Sequence, residues 1–185
     1  MKNIKIFAAI LLSVIMIVSL VACGNKTEDN NGTTNEAEVN DKVESKDIIP
    51  DVDESTMGGI LWNTFVEACK TNTTTETITT AISENSGVQF APMVMEIEPG
   101  LLAGFDNNEI TGFKSGYTFS PMIGTIPFVS YVFELEEGAD AETFVNTLKE
   151  SSNPAWNICT EAEQTVAGTN GNFVFFVMCP ESMEQ

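Results

Sequence analysis

The stretch that decides the fold is residues 164–179, QTVAGTNGNFVFFVMC. Asn170 and Gly171 stand between two runs of strand-forming residues, and an Asn-Gly pair in that position is the strongest short-range signal for a two-residue β-hairpin. The second run, Phe173–Met178, is apolar on both faces. Such a strand belongs in the middle of a sheet covered on both sides, or has one face against helices and the other in a partner's interface. For the residues ahead of the hairpin, the alternative is a short helix opened by Thr160 and Glu163.

Two segments outward from the hairpin have the spacing of amphipathic helices. The first covers residues 55–70, although Gly58 and Gly59 weaken its first turns. Its apolar residues recur at helical spacing: Met57, Ile60, Leu61, Phe65, Ala68 and Cys69. The second begins after Asp140, a residue type that caps helices, and ends at residues 151–154. Its predicted buried side is formed by Phe144, Val145 and Leu148.

The chain between these helices has the character of strands and turns. Residues 71–80 contain seven threonines, which favours a loop or an edge strand over a helix. Met93, Met95 and Ile97 alternate with more polar residues, as in a half-buried strand, and residues 128–135 form the clearest strand. Because helices and strands do not alternate strictly, the predicted class is α+β: a mostly antiparallel sheet packed by about two helices in a single small domain.

Composition excludes several classes of function. The 185 residues carry 27 Asp and Glu against 8 Lys, with no Arg and no His, for a formal net charge of -19. A chain this acidic cannot neutralise a phosphate backbone, so nucleic acid is not an expected partner. The absence of His and Arg removes the commonest general base, the commonest metal ligand and the bidentate clamp for anions. We therefore predict no cofactor, no metal ligand and no catalytic residue.

Residues 1–23 have the pattern of an export signal with a lipid attachment site. Lys2 and Lys5 precede an apolar run over residues 6–22. The run closes with Leu20-Val21-Ala22-Cys23, which resembles the lipobox of bacterial lipoproteins. That resemblance implies cleavage after Ala22, a diacylglyceryl group on the Cys23 thiol, and a protein held on the outer face of the cell membrane. The alternative is an uncleaved anchor, because the apolar run just reaches the length of a spanning helix.

A change of composition near Ser55 predicts a tether followed by one domain. Residues 24–54 contain no aromatic residue and carry ten acids against three lysines. Such a segment cannot bury enough apolar surface to fold by itself. We therefore predict a signal peptide over residues 1–22, a disordered acidic tether over residues 23–54, and a globular α+β domain over residues 55–185.

The three cysteines of the domain admit two interpretations. An exported protein meets an oxidising environment, and Cys159 and Cys179 are the plausible disulfide pair. If the hairpin turns at Asn170 and Gly171, Cys179 lies opposite Ala162, three residues from Cys159. The alternative, which we favour, is that these two and Cys69 are all buried apolar thiols. Without a His or another cation to lower its pKa, none is expected to be a nucleophile.

The acidic residues form no recognisable catalytic or metal-binding pattern. Residues 106–109, Asp-Asn-Asn-Glu, begin like a calcium loop, but Thr111 and Tyr117 stand where that loop needs Gly and Glu. A turn capped by its own side chains is the simpler interpretation. Paired carboxylates can hydrolyse glycosides, but no pair is singled out by spacing.

The segment Gly100–Phe128 is dense in glycine, aromatic residues and methionine, a composition that can line a pocket or a partner groove. We expect that such a segment more often caps the core. Phe105, Phe113 and Tyr117 are the candidate binding surface within it.

Three short runs carry a further resemblance: residues 127–133, residues 156–159 and residues 175–178. They are similar to runs in small uncharacterised lipoproteins of anaerobic Gram-positive bacteria. The resemblance implies a cellular context and no mechanism. The predicted function is a non-catalytic binding module on the cell surface, held by the lipid on Cys23, for an unidentified extracellular ligand or protein. The alternative is a small carboxylate-dependent hydrolase acting on wall or extracellular substrates, while a two-lobed solute-binding protein would need more residues.

Overall fold

A computed structural model describes residues 46–183. The predicted signal peptide, the lipidation site Cys23, the cleavage position after Ala22 and most of the predicted tether lie outside the described residues. The described elements follow one another in this order: α1 (Met57–Thr71), α2 (Thr75–Ser83), β1 (Pro92–Ile97), β2 (Gly100–Leu101), β3 (Glu109–Ile110), β4 (Phe113–Pro121), β5 (Val129–Leu135), α3 (Ala141–Ser151), β6 (Gln164–Asn170) and β7 (Phe173–Cys179).

Five strands form one antiparallel sheet in the order β1-β4-β5-β7-β6, and β2 pairs with β3 in a separate small ribbon. The α+β class with a mostly antiparallel sheet is confirmed, with three helices in the described chain instead of about two. The predicted strand over residues 128–135 is β5, the central strand. Strand β7, apolar on both faces as its sequence shows, lies beside β5 and is covered on both sides.

One face of the sheet packs against α3. Asp140 caps this helix as predicted, because its carboxylate accepts hydrogen bonds from the backbone N–H groups of Glu142 and Thr143 at 3.1 and 3.4 Å. The helix buries the three residues expected from its spacing, Phe144, Val145 and Leu148. They pack with the side chains that β5 and β7 direct to this face, which include Tyr131, Phe133, Val174, Phe176 and Met178.

The other face of the sheet packs against α1 and α2. Phe65 of α1 stacks on Phe175 of β7 with ring centroids 5.3 Å apart. Gly58 and Gly59, which weaken the helix by propensity, have a packing role: a Cβ at Gly58 would come within 2.7 Å of the Val166 side chain, and one at Gly59 would clash with the backbone of Asp53. Gly58 therefore lets the first turn of α1 approach β6 closely, and Gly59 lets the backbone of residues 53–54 pack against the same turn.

The prediction of a loop or an edge strand over residues 71–80 is wrong, because α2 begins at Thr75. Thr74 caps the helix by accepting a hydrogen bond from the Thr77 backbone N–H at 3.2 Å. Ile78 and Ile82, four residues apart, are both fully buried under the sheet. The cap and this shared apolar face outweigh the strand preference of threonine, since tertiary packing overrides local propensity.

The C-terminal hairpin forms, but its turn lies one residue later than predicted. Asn170 pairs with Phe173, so Gly171 and Asn172 are the two central residues. Gly171 has φ 59°, which suits the first central position of a type II′ turn. The pairing shifts by two positions in consequence, and Cys179 lies opposite Gln164 instead of Ala162. Residues 160–163 form no helix, and β6 begins directly after them.

Residues 46–54, which the sequence assigned to the tether, contact the domain. Ile48 donates its N–H to the Thr169 hydroxyl at 2.7 Å and accepts a hydrogen bond from the Thr169 N–H at 2.9 Å. Asp47 accepts a hydrogen bond from the Gly171 N–H at 2.8 Å. Ile48 and Val52 also pack against the two halves of the core. The packed part of the chain thus begins before Ser55, along the outer edge of β6.

Candidate ligand groove

The sheet face that carries α3 is only half covered by that helix. Helix α3 contacts β6 and β7 at one end of the sheet. At the other end, β1 directs Met93, Met95 and Ile97 to this face, and β4 places Ser120 and Thr118 directly opposite the two methionines. On this face α3 reaches β4 only near Phe113, where Phe144 packs, and in residues 46–183 no helix covers the rest of β1 and β4, so the loops that flank them form a groove.

The groove has a volume of about 340 Å³. Strands β1, β4 and β5 form its floor, while residues 101–103, residues 121–126 and residues 156–157 form its walls. The residues that line it are Met95, Ile97, Leu101, Leu102, Ala103, Thr118, Ser120, Pro121, Gly124, Ile126, Phe128, Val129, Tyr131, Trp156 and Asn157. Its size is at the lower end of the range for ligand pockets.

Hydrogen bonds hold the walls of the groove in place. The Tyr131 hydroxyl donates to the Ala103 carbonyl at 2.8 Å, which ties the floor to one wall. Asn153 donates its backbone N–H to the Gly104 carbonyl at 2.8 Å and its side-chain amide to Asp106 at 2.8 Å. Asn157 contacts the remaining wall through the Ile126 carbonyl at 3.4 Å. The three loops are therefore joined into one preformed rim.

No Asp, Glu or Lys is among the residues that line the groove. Tyr131 is its single ionisable residue, and burial raises the pKa of its hydroxyl, so the hydroxyl stays neutral. Ser120 and Asn157 supply a hydroxyl and an amide group in a largely apolar lining, while the buried Thr118 hydroxyl donates to the Ser130 carbonyl at 2.8 Å. An apolar site with a few polar groups can bind and orient a ligand, but it offers no acid or base for catalysis.

Exposed apolar residues extend this surface beyond the groove. On the other side of the 121–126 loop lies a second hollow of about 450 Å³, which shares Pro121 and Ile126 with the first. Met122 and Ile123, at the tip of that loop, are 66% and 80% exposed. Leu101 is 63% exposed at the rim of the groove. Large apolar side chains are thus exposed at the rim of the groove and beside it, a feature typical of surfaces that contact a partner.

The binding surface predicted from Phe105, Phe113 and Tyr117 is wrong for the two phenylalanines. Phe105 is fully buried and packs against Tyr131 and Phe176, with centroids 5.6 and 4.9 Å apart. Phe113 is buried against Phe133. These rings belong to the core because the segment that carries them lies along the sheet.

Tyr117 is half-buried on the opposite face of β4 from the groove, where it pairs with Glu96. Desolvation raises the pKa of its hydroxyl, and the negative charges of Glu76 and Glu96 raise it further. The structure therefore does not bring Tyr117 together with the groove.

All three cysteines of the domain are free. The favoured expectation of three buried thiols holds for Cys179, whereas Cys69 is partly exposed and Cys159 is exposed. The candidate pair Cys159 and Cys179 is not bridged, and the shifted hairpin register removes the pairing on which it was based. Burial, with a smaller effect of the Glu163 charge, raises the pKa of the Cys179 thiol to about 12. This thiol is inert at neutral pH.

The acids do not converge in any of the three cavities characterised in residues 46–183. The third, of about 260 Å³, is lined by a single acid, Glu181. The described residues also contain no group of three or more Cys, Asp or Glu that could hold a metal ion. Asp106 forms a tight turn with a left-handed φ of 52°, and its carboxylate binds Asn153. The expected turn forms, but its backbone closes it, since the Asn108 N–H donates to the Phe105 carbonyl at 2.9 Å, and the Asp106 carboxylate does not cap its own turn.

Sequence reasoning missed the residues that form the groove, chiefly Met95, Leu101, Trp156 and Asn157. One signal was present, since the stretch from Ser115 to Phe133 contains no charged residue in a chain of 27 acids. However, β1 and the 156–157 loop, which line the groove together, are about sixty residues apart in the sequence. No local sequence pattern predicts that they lie close together.

Comparisons with protein-family models, with curated proteins and with solved structures give no significant match to this chain. Within residues 46–183, no helix combines the length and the apolar character needed to cross a membrane. The geometry of the groove is therefore the basis for an inference about function.

Proposed function

We propose that this chain is a non-catalytic binding module, held by a lipid on Cys23 at the outer face of the cell membrane, and that the groove is its ligand-binding surface. The observation that carries the proposal is the preformed apolar groove on the uncovered half of the sheet. The lipobox at residues 20–23 supports the location. The ligand is an apolar side chain or a small apolar group presented by an extracellular partner.

Binding is favoured over hydrolysis by the chemistry of the lining. A carboxylate-dependent hydrolase needs two acids that flank a substrate, about 5–10 Å apart. The groove holds none. Hydrolysis of wall glycans or peptides by the purified protein, abolished by a single Asp or Glu substitution, would overturn the proposal.

The binding site is tested with N-acetylated amides of leucine, phenylalanine and tryptophan, followed by NMR chemical shifts. We expect saturable shifts at Leu101, Thr118 and Trp156. A Ser120→Phe variant fills the floor of the groove and should abolish these shifts. Ser86→Phe is the matched control, because Ser86 is exposed and does not line the groove. Shifts that survive Ser120→Phe would show that the ligand binds elsewhere.

The anchor is tested separately by Cys23→Ala. We expect this variant to be released from membranes or to remain an unprocessed precursor, since two acyl chains are needed for stable attachment. Detergent partitioning and mature mass report the outcome. A variant that is processed to the same size as the wild type and still partitions with membranes would contradict the anchor.

A further inference from the structure

The outer edge of β1 is an open edge of the sheet. Strand β1 pairs with β4 alone, so half of its backbone N–H and C=O groups point away from the sheet. Within the part of the chain that the structure describes, residues 92–97 form no hydrogen bond outside that pairing. The strand therefore offers a template on which another extended segment can pair.

The opposite edge of the sheet is closed by the chain itself. Strand β6 is bordered by residues 47–50: the Thr169 N–H on its outer side donates to the Ile48 carbonyl, and the Thr169 hydroxyl accepts a hydrogen bond from the Ile48 N–H. Pro50 packs there against Gly168. The described chain thus covers the edge of the sheet at β6 and leaves the edge at β1 free. The free edge lies directly beside the groove.

The two faces of β1 differ in character. On the groove side, Met93 and Met95 are 37% and 44% exposed. On the other side, Glu96 is exposed, and its charge acts with that of Glu76 on Tyr117. Glu98 follows directly after the strand and is also exposed. A strand added at this edge would therefore meet an apolar surface on one face and carboxylates on the other.

We propose that β1 accepts an extended segment of a partner as a sixth strand, with apolar side chains facing the groove and Lys or Arg side chains facing Glu96. The proposal deepens the proposed function and rests on it. In strand addition, main-chain hydrogen bonds supply affinity, and alternate side chains supply specificity. A cationic partner fits the charge of the domain, which has three lysines against seventeen Asp and Glu in residues 55–185.

The charge also argues against a second copy as the occupant. Pairing of two β1 strands would bring Glu96 and Glu98 of both copies to one edge, and like charges across strands are destabilising. The acidic bodies of the two domains would repel each other as well. We expect the protein to sediment as a monomer.

The probe is a short N-acetylated peptide of alternating lysine and valine, with affinity measured by fluorescence anisotropy on the full chain without its signal peptide. A peptide of the same composition with residues paired as Lys-Lys-Val-Val is the control for alternation. Two further probes carry N-methyl groups on all valines or on all lysines. We expect one N-methylated probe to bind at least about tenfold more weakly than the other, because it lacks the N–H groups that face β1.

Variants of the protein test the charge of the edge. Glu96→Gln is expected to weaken binding of the alternating peptide by about two- to fivefold, the range of a cross-strand charge pair. Glu150→Gln is the matched control, because Glu150 is an exposed acid on α3, away from this edge. Hydrogen exchange should show added protection in residues 92–97 when the peptide is bound.

Equal binding of the paired-residue peptide, or equal losses in Glu96→Gln and Glu150→Gln, would show non-specific attraction and overturn strand addition. Peptides that bind with equal affinity whether or not they are N-methylated, yet lose binding in Ser120→Phe, would also overturn it and leave the groove function standing. A β1-mediated dimer, or no binding of any peptide, would likewise overturn it. The acetylated amides test the groove independently.

Discussion

The two ends of the five-stranded sheet are built differently. At the closed end, β6 and β7 lie between α1 on one face and α3 on the other, and residues 47–50 border the edge. At the open end, β1 and β4 have α2 on one face, a groove on the other and a free edge. Both ends use apolar side chains, but the closed end buries them while the open end leaves Met95 and Leu101 exposed.

The closed end stabilises the fold, whereas the open end carries the proposed binding surface. At the closed end both faces of β7 are buried, and this burial stabilises the fold, since stabilisation scales with the apolar area removed from water. The open end leaves apolar area accessible to a ligand. The strands that carry this area are held in place by the core. A binding surface on a rigid scaffold loses little entropy when a ligand binds.

The largest contrast is expected between charges placed at the two ends. Phe175→Asp and Phe176→Asp should each unfold the domain, because both rings are fully buried, on opposite faces of β7. A buried, unpaired carboxylate and a lost ring together cost about 3–5 kcal/mol or more. Met95→Asp, at a side chain that is 44% exposed, should change the free energy of unfolding by less than about 1 kcal/mol.

Urea denaturation measures all three variants against the wild type. Tolerance of either phenylalanine variant would mean that one face of β7 is accessible to solvent. A severe loss of stability in Met95→Asp would mean that the open end belongs to the core, and the comparison between the two ends would then fail.

A smaller effect is expected from removing the segment that borders β6. A chain that starts at Ser55 loses both hydrogen bonds to Thr169, which is 1% exposed, together with the packing of Ile48 and Val52. Removal of the segment exposes both polar groups of Thr169 to water, so the cost is the net contribution of two hydrogen bonds, about 1–3 kcal/mol in total, and the lost packing adds to it. Thermal melts should therefore show a clear loss relative to a chain that starts at Lys42. Identical melting temperatures for the two chains would mean that residues 46–54 belong to the tether and do not stabilise the domain.

The smallest effect on the stability of the fold is expected from modification or ionisation of the thiols of Cys159 and Cys179. Cys159, in the loop that leads from the groove wall, should react with iodoacetamide in the native protein, whereas Cys179 of β7 should not. The pKa of Cys179 is raised to about 12 from an ordinary value near 9. The unfolded chain therefore ionises this thiol at lower pH than the folded chain does, and stability should fall as the pH rises from about 9 towards 12.

Mass spectrometry of the labelled protein at about pH 8 identifies the modified residue, and Cys179→Ala is the reference for the alkaline loss of stability. Rapid native labelling of Cys179 would show that β7 opens to solvent. Cys179→Ala should lose less stability than the wild type over this range, and the loss that remains belongs to Cys69 and Tyr131, whose pKa values are also raised by burial. A loss equal to that of the wild type would show that Cys179 does not contribute.

Local sequence determined the central strand β5 and much of the closed end. The alternation in residues 128–135, the double-faced apolar run of β7 and the Asp140 cap each report a short-range property, and each forms as predicted. The α+β class follows from these elements. The Asn-Gly signal located the hairpin, although its two-residue turn is satisfied equally well by Gly171 and Asn172, and only the pairing with β5 and the core selects between the registers.

The tertiary structure decided that the threonine-rich segment is helical in spite of its strand preference, that Ile48 packs on β6, and that a groove forms. Each depends on partners far away in the chain: the sheet that buries Ile78, the edge that binds Ile48, and the loops that meet above Met95. Composition predicts Phe105 and Phe113 to be part of a binding surface. An aromatic residue can line a pocket or pack in a core, and composition does not distinguish the two. Which of the two it occupies is set by what the fold places above it, and that information is not local.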